Sequence, residues 1–415
     1  MNIIYYLFYI ELYLNYFIII IKIIFIIINY YFIFKKIFFM NDDDFDDENE
    51  KILWISFNQD FSCFLIGTES GYKIFNSYKF SLLTDKDLGG GIGIVEMLGQ
   101  TNILGLVGGG KNPKFSEKLL TIWNDKELKI ISELNFKSKI LNIKLKLEQI
   151  FIILINQIFV FNLKYINNPP EIFSTYDNPL GLFVISPHSY HNVIAYPDKD
   201  FGYIRIRCYE DPNILEAKYI ECYKKDVLGC LGINLMGTLI AVASSKGNTI
   251  KIVVRENNCV VLVLRRGLDR ANIFSLNFDI KSKFICVGSD TGIVNIYSLS
   301  SIYVEDERTK NLIKNKNSYF KNVAKFFGLK NSYFDEEWGF SQIDTKELKM
   351  KCCFRSGTDD HIIIIGEDWK YYECEFDKEK GGNGKINTEI NIWEKLEEER
   401  NDEAEEEEKK ENNNK

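Results

Sequence analysis

The chain has 415 residues, 46% of them hydrophobic and 14% aromatic, so it can bury a large core. Its net charge of −8 argues against a general nucleic-acid-binding protein. Nine cysteines without a CxxC pair favour reduced cytosolic thiols over a disulfide framework, and three histidines provide little material for a metal site.

Residues 1–40 form a separate low-complexity segment, biased towards Ile, Tyr, Phe and Asn. The stretch IIIIKIIFIIINYYFIF is apolar enough for a membrane span, although Glu11, Asn15 and Lys22 interrupt the segment. Two interpretations stay open: a start assigned upstream of a true initiator at Met40, or a membrane anchor. An acidic linker follows at residues 41–50.

From residue 51 onward the chain repeats one pattern: an apolar strand, a turn with glycine and an alternating strand. Three copies are FSCFLIGTESGYKIFNS at 61–77, GTLIAVASSKGNTIKIVV at 237–254 and KSKFICVGSDTGIVNIYSL at 281–299. Ser244 and Ser289 occupy equivalent places 45 residues apart, which is the period of a four-stranded propeller blade. We therefore predict an all-β, seven-bladed, WD40-like propeller over residues 51–394. Its first strand is expected to pair with the last blade.

Two glycine clusters resemble nucleotide-binding loops only superficially. GGGIG at 89–93 and GGGK at 108–111 lack the strand, spacing and helix that such loops need, so they are interpreted as turns. GTDDH at 357–361 is likewise interpreted as a blade turn that bonds its own backbone. No catalytic residue, metal or cofactor is predicted, and the chain is not expected to be an enzyme.

Adjacent arginines end a strand in VLVLRRGLDRANIF, at residues 261–274. Successive side chains on extended backbone point to opposite sides. Arg265 and Arg266 therefore cannot easily share one ligand, but they can serve two pockets.

A long excursion at residues 305–341 interrupts the sixth blade. It carries aromatic and apolar side chains at helical spacing among lysines, which is typical of a segment lying in a bilayer interface. The candidate membrane-insertion residues are Phe320, Lys321, Val323, Lys325, Phe326 and Phe327. The alternative is a loop packed on the side of the propeller. The chain ends in a charged tail, residues 395–415, predicted to be disordered.

Three stretches together make the chain resemble the PROPPIN family, WIPI-like seven-bladed propellers that bind phosphoinositides. They are FNQDFSCFLIGTESGYKIFN at 57–76, LVGGGKNPKFSEKLLTIWND at 106–125 and LRRGLDRANI at 264–273, which contains the family's [FL]RRG signature. The resemblance spans most of the chain after Met40. It implies two headgroup sites, one for each arginine of the pair.

The residues implied for the first site are Arg265, Ser244, Lys246, Asn248, Thr249 and Lys251. The residues implied for the second site are Arg266, Arg270, Ser289 and Asn295. In the second site Gly288, Thr291 and Ile293 replace the family's Ser, Lys and Thr, and Asn295 replaces its His. The second pocket has thus lost hydroxyls and a basic group, and it is expected to be weaker or altered in specificity.

The resemblance further implies a monomeric peripheral membrane effector that binds PI3P, PI(3,5)P2 or both and recruits an autophagy lipid-transfer protein. It would associate with endosomal, autophagic or other organelle membranes from the cytoplasm. The residues that match the family's partner-binding regions are Asn58, Asp60, Lys111 and Asn112. The alternative function is a propeller scaffold for protein complexes with vestigial lipid binding.

Overall fold

The computed structural model describes residues 50–208, 218–224, 226–303, 315–317 and 336–413. Seven sheets of four antiparallel strands form the blades, and three additional two-residue strands extend two of them. The predicted all-β, seven-bladed propeller is confirmed.

The strands of the first four blades are β1 Ile52–Phe57, β2 Cys63–Thr68, β3 Gly71–Asn76, β4 Ser81–Asp87; β5 Ile92–Met97, β6 Ile103–Gly108, β7 Leu119–Asn124, β8 Lys129–Asn135; β9 Asn142–Lys146, β10 Gln149–Ile153, β11 Gln157–Asn162, β12 Glu171–Ser174; and β13 Val184–Ile185, β14 Val193–Pro197, β15 Tyr203–Cys208, β16 Lys218–Glu221.

The strands of the last three blades are β17 Leu228–Ile233, β18 Leu239–Ser244, β19 Thr249–Val254, β20 Cys259–Arg265; β21 Ile273–Phe278, β22 Phe284–Ser289, β23 Ile293–Ser298, β26 Ser341–Asp344; and β27 Met350–Phe354, β28 His361–Gly366, β29 Lys370–Glu375, β31 Lys385–Asn391. The additional strands β24 Lys316–Asn317 and β25 Glu337–Trp338 extend blade five, and β30 Gly382–Asn383 extends blade six. The helices within the described residues are Ser300–Tyr303 and Ile392–Asn413.

The position of a strand within its blade explains its hydrophobic pattern. The second strand of blade five, β18, is buried at all six positions because neighbouring blades cover both of its faces. The fourth strand of blade one, β4, has no fully buried residue. Inner strands therefore appear as continuous apolar runs, and outer strands carry the polar residues that contact solvent or ligands.

Ring closure differs from the prediction. Strand β1 pairs with β2 inside the first blade, and β31 supplies the seventh blade with its own fourth strand. The ring closes through side chains instead: Phe64 stacks on Tyr371 with ring centroids 6.1 Å apart, and the Tyr371 hydroxyl donates to the Ser77 carbonyl at 3.1 Å. Buried apolar contacts between the first and last blades thus replace the predicted strand exchange.

The C-terminal end also differs from the predicted tail, because residues 392–413 are helical. Ile392 and Leu396, one helical turn apart, are 0% and 3% exposed and belong to the cluster between the seventh and first blades. Arg400 forms an ion pair with Asp85 of β4 at 2.8 Å. Because its apolar residues are at helical spacing, the first turns of the helix have an apolar face that packs against blades seven and one.

The excursion leaves the sixth blade after β23 and returns before β26, the third and fourth strands of that blade. The predicted segment 1–40, nearly all of the linker 41–50 and the candidate insertion residues at 320–327 lie outside the described residues. Within the described ranges, the model contains no helix that is both long and apolar enough to cross a membrane.

Candidate functional site

The register between β19 and β20 places the first-site residues of blade five on one face. Thr249 lies directly opposite Arg265, and Lys251 lies opposite Val263. Paired residues in an antiparallel ladder project from the same side of the sheet, and so do residues two apart along one strand. Thr249, Lys251 and Arg265 therefore share a face.

This face is directed towards blade four. The Lys251 Nζ donates to the Cys222 carbonyl at 2.6 Å and lies 4.5 Å from the centre of the Tyr223 ring. Leu264, on the opposite face, belongs to the apolar cluster that blades five and six share. Arg265 and Leu264 thus lie on opposite faces of β20, which ends at Arg265.

Arg265 is a singular residue among the seven blades. In each blade the first residue of the third strand pairs with a residue at the end of the fourth strand, and these end residues are Asp87, Asn135, Ser174, Glu221, Arg265, Asp344 and Asn391. Only blade five places a cation at this position. An equivalent backbone position is acidic or uncharged everywhere else in the ring.

The Arg265 guanidinium is held by a carboxylate that the sequence did not predict. Its Nε and Nη2 both contact Oε2 of Glu336, and its Nη1 lies 3.5 Å from the Gly267 carbonyl. The two charged side chains are 13% and 12% exposed. The Tyr297 hydroxyl donates to the Arg265 carbonyl at 3.0 Å, and burial raises the pKa of Tyr297.

Glu336 reaches Arg265 because the returning end of the excursion joins the edge of blade five. Strand β25 pairs in parallel with β20, matching Glu337 with Leu264 and Trp338 with Arg265, and β24 pairs with β25. Asn315 fixes the outgoing end: its Oδ1 accepts from the Ser298 backbone N–H at 2.7 Å, and its Nδ2 donates to Glu337 at 2.7 Å. The sequence DEEW at 335–338 is visibly acidic, but the sequence alone does not show with which strand these residues pair.

The other first-site residues have separate partners. Ser244 ends β18 and is buried, whereas the Lys246 Nζ forms an exposed ion pair with Asp226 at 2.7 Å. The Asn248 Nδ2 donates to the carbonyls of Leu268 and Asp269 at 2.5 and 3.0 Å. Asn248 therefore shapes the connection that follows the arginine pair.

Arg266 contacts two main-chain carbonyls. Its Nε donates to the Gly247 carbonyl at 2.8 Å, and its Nη2 donates to the Asp269 carbonyl. None of the hydrogen bonds within the described ranges joins Arg266 or Arg270 to Ser289 or Asn295. The guanidinium thus bridges one carbonyl of the β18–β19 turn and one of the β20–β21 connection.

The remaining second-site groups are satisfied locally. The Ser289 Oγ lies 2.9 Å from the Thr291 Oγ1, and the Asn295 Oδ1 accepts from the Gln342 Nε2 at 3.0 Å. Ser289 and Asn295 are buried, and Arg270 is exposed. Ser289 and Asn295 are therefore held by neighbouring side chains of blade six.

The partner-binding candidates fall at opposite edges of the ring. Asn58 and Asp60 lie in the turn between the first and second strands of blade one, and Lys111 and Asn112 lie between the second and third strands of blade two. Because strands alternate in direction, such connections emerge at opposite ends of a blade. Asn58 is 1% exposed and accepts from the Cys63 N–H, so it shapes the turn.

A cavity of about 550 Å³ lies in the middle of the ring and contains a small charge cluster. Glu96 forms an ion pair with Lys144, and the Lys351 Nζ donates to the Phe274 carbonyl at 3.0 Å. Burial raises the pKa of Glu96 and lowers the pKa of Lys351. The described part of the chain contains no group of three or more His, Cys, Asp or Glu residues that could hold a metal ion.

A family model described as PROPPIN matches residues 52–326. The relative SVP1-like protein 2 from Debaryomyces hansenii is 30% identical over 402 residues, which covers 82% of this chain and 91% of the relative. Autophagy-related protein 18 from Dictyostelium discoideum is 30% identical over 365 residues, which covers 83% of this chain and 94% of the relative.

Solved propellers have the same fold at lower identity. Kluyveromyces lactis Hsv2 with its complete loop 6CD matches with a TM-score of 0.65 and 18% identity, covering 83% of this chain and 100% of that one. A complex of KlAtg21 with the coiled-coil of AgAtg16 matches with a TM-score of 0.64 and 18% identity, covering 82% of this chain and 99% of that one.

Proposed function

This chain belongs to the PROPPIN family, and from that premise we propose that it is a phosphoinositide-binding peripheral membrane effector. It binds PI3P, PI(3,5)P2 or both on cytosolic membranes, and it recruits autophagy-type lipid-transfer machinery to them. Its relatives include proteins named autophagy-related protein 18. The family is one of generally non-enzymatic binding proteins.

The observation that carries the proposal is the cation on blade five. Arg265 is the one positive residue at its position in the ring, and it shares a face with Thr249 and Lys251. A phosphorylated inositol needs planar, bidentate donors, and guanidinium provides them better than ammonium does. Thr249 adds a hydroxyl and Lys251 a second positive charge on the same side of the sheet.

Membrane binding would draw on more than one contact. Arg266 and Arg270 supply positive charge for a second, weaker headgroup contact, and the excursion supplies aromatic and basic residues for the bilayer interface. Weak contacts on one rigid body act multivalently, so the overall affinity for the membrane exceeds the affinity of each single contact.

Protein partners would bind away from the arginine pair. The KlAtg21 complex holds a coiled-coil segment of AgAtg16, so one propeller of this fold binds a protein partner. For this chain we propose an autophagy lipid-transfer protein as the partner, with Asp60, Lys111 and Asn112 as accessible candidate contacts on a monomeric propeller. Asn58 acts there by shaping its turn.

A second function is favoured by one specific observation, the internal neutralisation of the candidate sites. Glu336 contacts Arg265, and Ser289 and Asn295 already have partners within the propeller. A propeller with its binding groups occupied in this way could act as a scaffold for protein complexes in which lipid binding is vestigial.

Co-flotation with liposomes separates the two functions. The full chain is tested with vesicles containing PI3P, PI(3,5)P2 or unphosphorylated phosphatidylinositol, as wild type, Arg265→Ala, Arg266→Ala and the double variant. Flotation that requires a 3-phosphorylated lipid and is largely lost in Arg265→Ala supports the effector. Equal behaviour of all four proteins on all vesicles would refute it and favour the scaffold.

A further inference from the structure

Glu336 occupies the side of Arg265 that a phosphate would use. The Nε and Nη2 atoms form one edge of the guanidinium, and both contact the same carboxylate oxygen. This edge is the fork that binds carboxylate and phosphate oxygens in bidentate pairs. The Nη1 atom is directed at the Gly267 carbonyl instead, 3.5 Å away.

The pair is too enclosed for a headgroup to join it without rearrangement. Arg265 and Glu336 keep only 13% and 12% of their side-chain surface exposed. A carboxylate next to the arginine also cancels the charge that would attract a phosphate, and it repels that phosphate directly at short range. Binding at Arg265 therefore requires Glu336 to leave the guanidinium.

The two arginines differ in this respect. The contacts of Arg266 within the described ranges are the carbonyls of Gly247 and Asp269, which are neutral. Arg266 therefore keeps its full charge, whereas Arg265 has an internal counter-ion supplied by the excursion.

Glu336 is also connected to the base of the excursion. The next two residues, Glu337 and Trp338, form β25 against the end of β20. The Glu337 carboxylate is held in turn by Asn315 and by the Ser301 hydroxyl at 2.8 Å. Movement of Glu336 away from Arg265 thus acts on the strand that attaches the returning end of the excursion to blade five.

We propose that Glu336 is a specificity-determining residue of the first site, an internal competitor that a headgroup phosphate must displace from Arg265. This inference rests on the proposed function. Displacement couples phosphate recognition to release of the base of the excursion. Anions without enough charge to displace the carboxylate are excluded, so ordinary membrane phosphates are rejected.

Charge removal at Glu336 tests the competition. Glu336→Gln keeps the shape of the side chain, and Glu373→Gln is the matched control, because Glu373 forms a similarly enclosed ion pair with Arg355 in blade seven. Flotation is titrated with PI3P vesicles and with phosphatidylinositol vesicles. We expect Glu336→Gln to bind PI3P vesicles about threefold to tenfold more tightly than wild type, and Glu373→Gln to be unchanged. In Arg265→Ala the effect of Glu336→Gln should disappear.

The outcomes separate this inference from the function on which it rests. Wild-type binding to PI3P with no gain in Glu336→Gln overturns the competition and leaves the effector intact. Binding by Glu336→Gln but not by wild type supports the competition and refutes the effector as the function of the wild-type chain. Failure of both proteins to prefer PI3P refutes the effector and the competition together.

A measurement on the wild-type chain covers the case in which the variants do not fold. Carboxyl labelling with carbodiimide and glycine ethyl ester, read by mass spectrometry, reports the exposure of each glutamate. Adding PI3P vesicles should increase labelling of Glu336 at least twofold over phosphatidylinositol vesicles, because the phosphate releases it. Unchanged labelling in the presence of bound PI3P vesicles contradicts the proposal.

Discussion

Blades five and six pair their third and fourth strands in the same way and carry opposite charges at one position. Arg265 pairs with Thr249 in blade five, and Asp344 pairs with Ile293 in blade six. The preceding turns differ as well, since Lys246 of blade five corresponds to Thr291 of blade six. A propeller repeat therefore fixes where a side chain projects, and the sign of the charge at that place differs between the two blades.

Charge reversal on blade five is expected to have the largest effect. Arg265→Asp gives blade five the residue type of blade six and places it beside Glu336. Binding to PI3P vesicles should fall on the order of a hundredfold, because a bidentate donor is lost and a second negative charge is added. Lys129→Asp on blade two, an equally large charge reversal, is the control, and an equal loss there would mean that net charge alone controls flotation.

The connection after blade six is expected to show a pH-dependent stability. The Tyr372 hydroxyl donates to the buried Glu347 carboxyl at 2.6 Å, and Lys370 lies 3.6 Å away. Burial and a hydrogen bond with Asp368 raise the pKa of Glu347 from its ordinary 4.5 to about 7. The folded state thus holds a proton that the unfolded state releases, and stability falls as pH rises from 4.5 to 7.

Glu347→Gln removes that ionisation. The variant should be more stable than wild type at pH 8 by about 1–2 kcal/mol, allowing for screening by solvent near Lys370, and equally stable below pH 4.5. Urea denaturation at both pH values measures this difference. Glu367→Gln is the control, since Glu367 forms an exposed ion pair with Lys349 at 3.2 Å. A variant less stable than wild type at pH 8 would contradict the prediction.

Adding charge to blade six should reduce the difference between the two blades. Thr291→Lys supplies the cation that blade five has at Lys246, and Thr291 is exposed. Binding to PI(3,5)P2 vesicles should strengthen about threefold, because another positive charge would lie near the headgroup. Ser70→Lys makes the same change at the equivalent turn of blade one. An equal gain in both variants would show that the second pocket contributes nothing specific.

The smallest effect on folding is expected at Lys246. Its ion pair with Asp226 is 2.7 Å long, and the two side chains are 48% and 25% exposed. Lys246→Gln should change the free energy of unfolding by about 0.5 kcal/mol or less while weakening PI3P binding severalfold. Lys139→Gln, which breaks an exposed pair with Glu117, is the control for both measurements. A large loss of stability at Lys246 would assign it a structural role.

Much of the fold was predictable because it repeats. The spacing between Ser244 and Ser289 and the alternation of apolar residues gave the blade period, and seven blades are present. Ring closure was predicted wrongly, because strand exchange and side-chain packing at the closing seam both leave the same strand pattern in the sequence. The C-terminal helix was missed because its acidic composition masks Ile392 and Leu396, which are buried.

The candidate site divides in the same way. The Thr249 register and Leu264 place Arg265 on the face of β20 that is directed towards blade four. Arg266 follows the end of β20, so its projection to the opposite face stays a prediction. The fold-back of Arg266 onto Gly247 could not be predicted, since it depends on which carbonyl oxygens the turn presents. The strand order was also needed to show that the two candidate partner-binding turns lie at opposite ends of the blades.

The blade period, the strand alternation and the position of the arginine pair can be derived from the amino-acid pattern, because each of these follows from local backbone geometry. The neutralisation of Arg265 by Glu336, 71 positions further along the chain, becomes visible only in the folded chain. Such a contact depends on how a long excursion returns to the edge of a distant strand, and local pattern carries no information about that register. The strand register fixes the position of Arg265 in the ring, and the segment that packs beside it determines the net charge at that position.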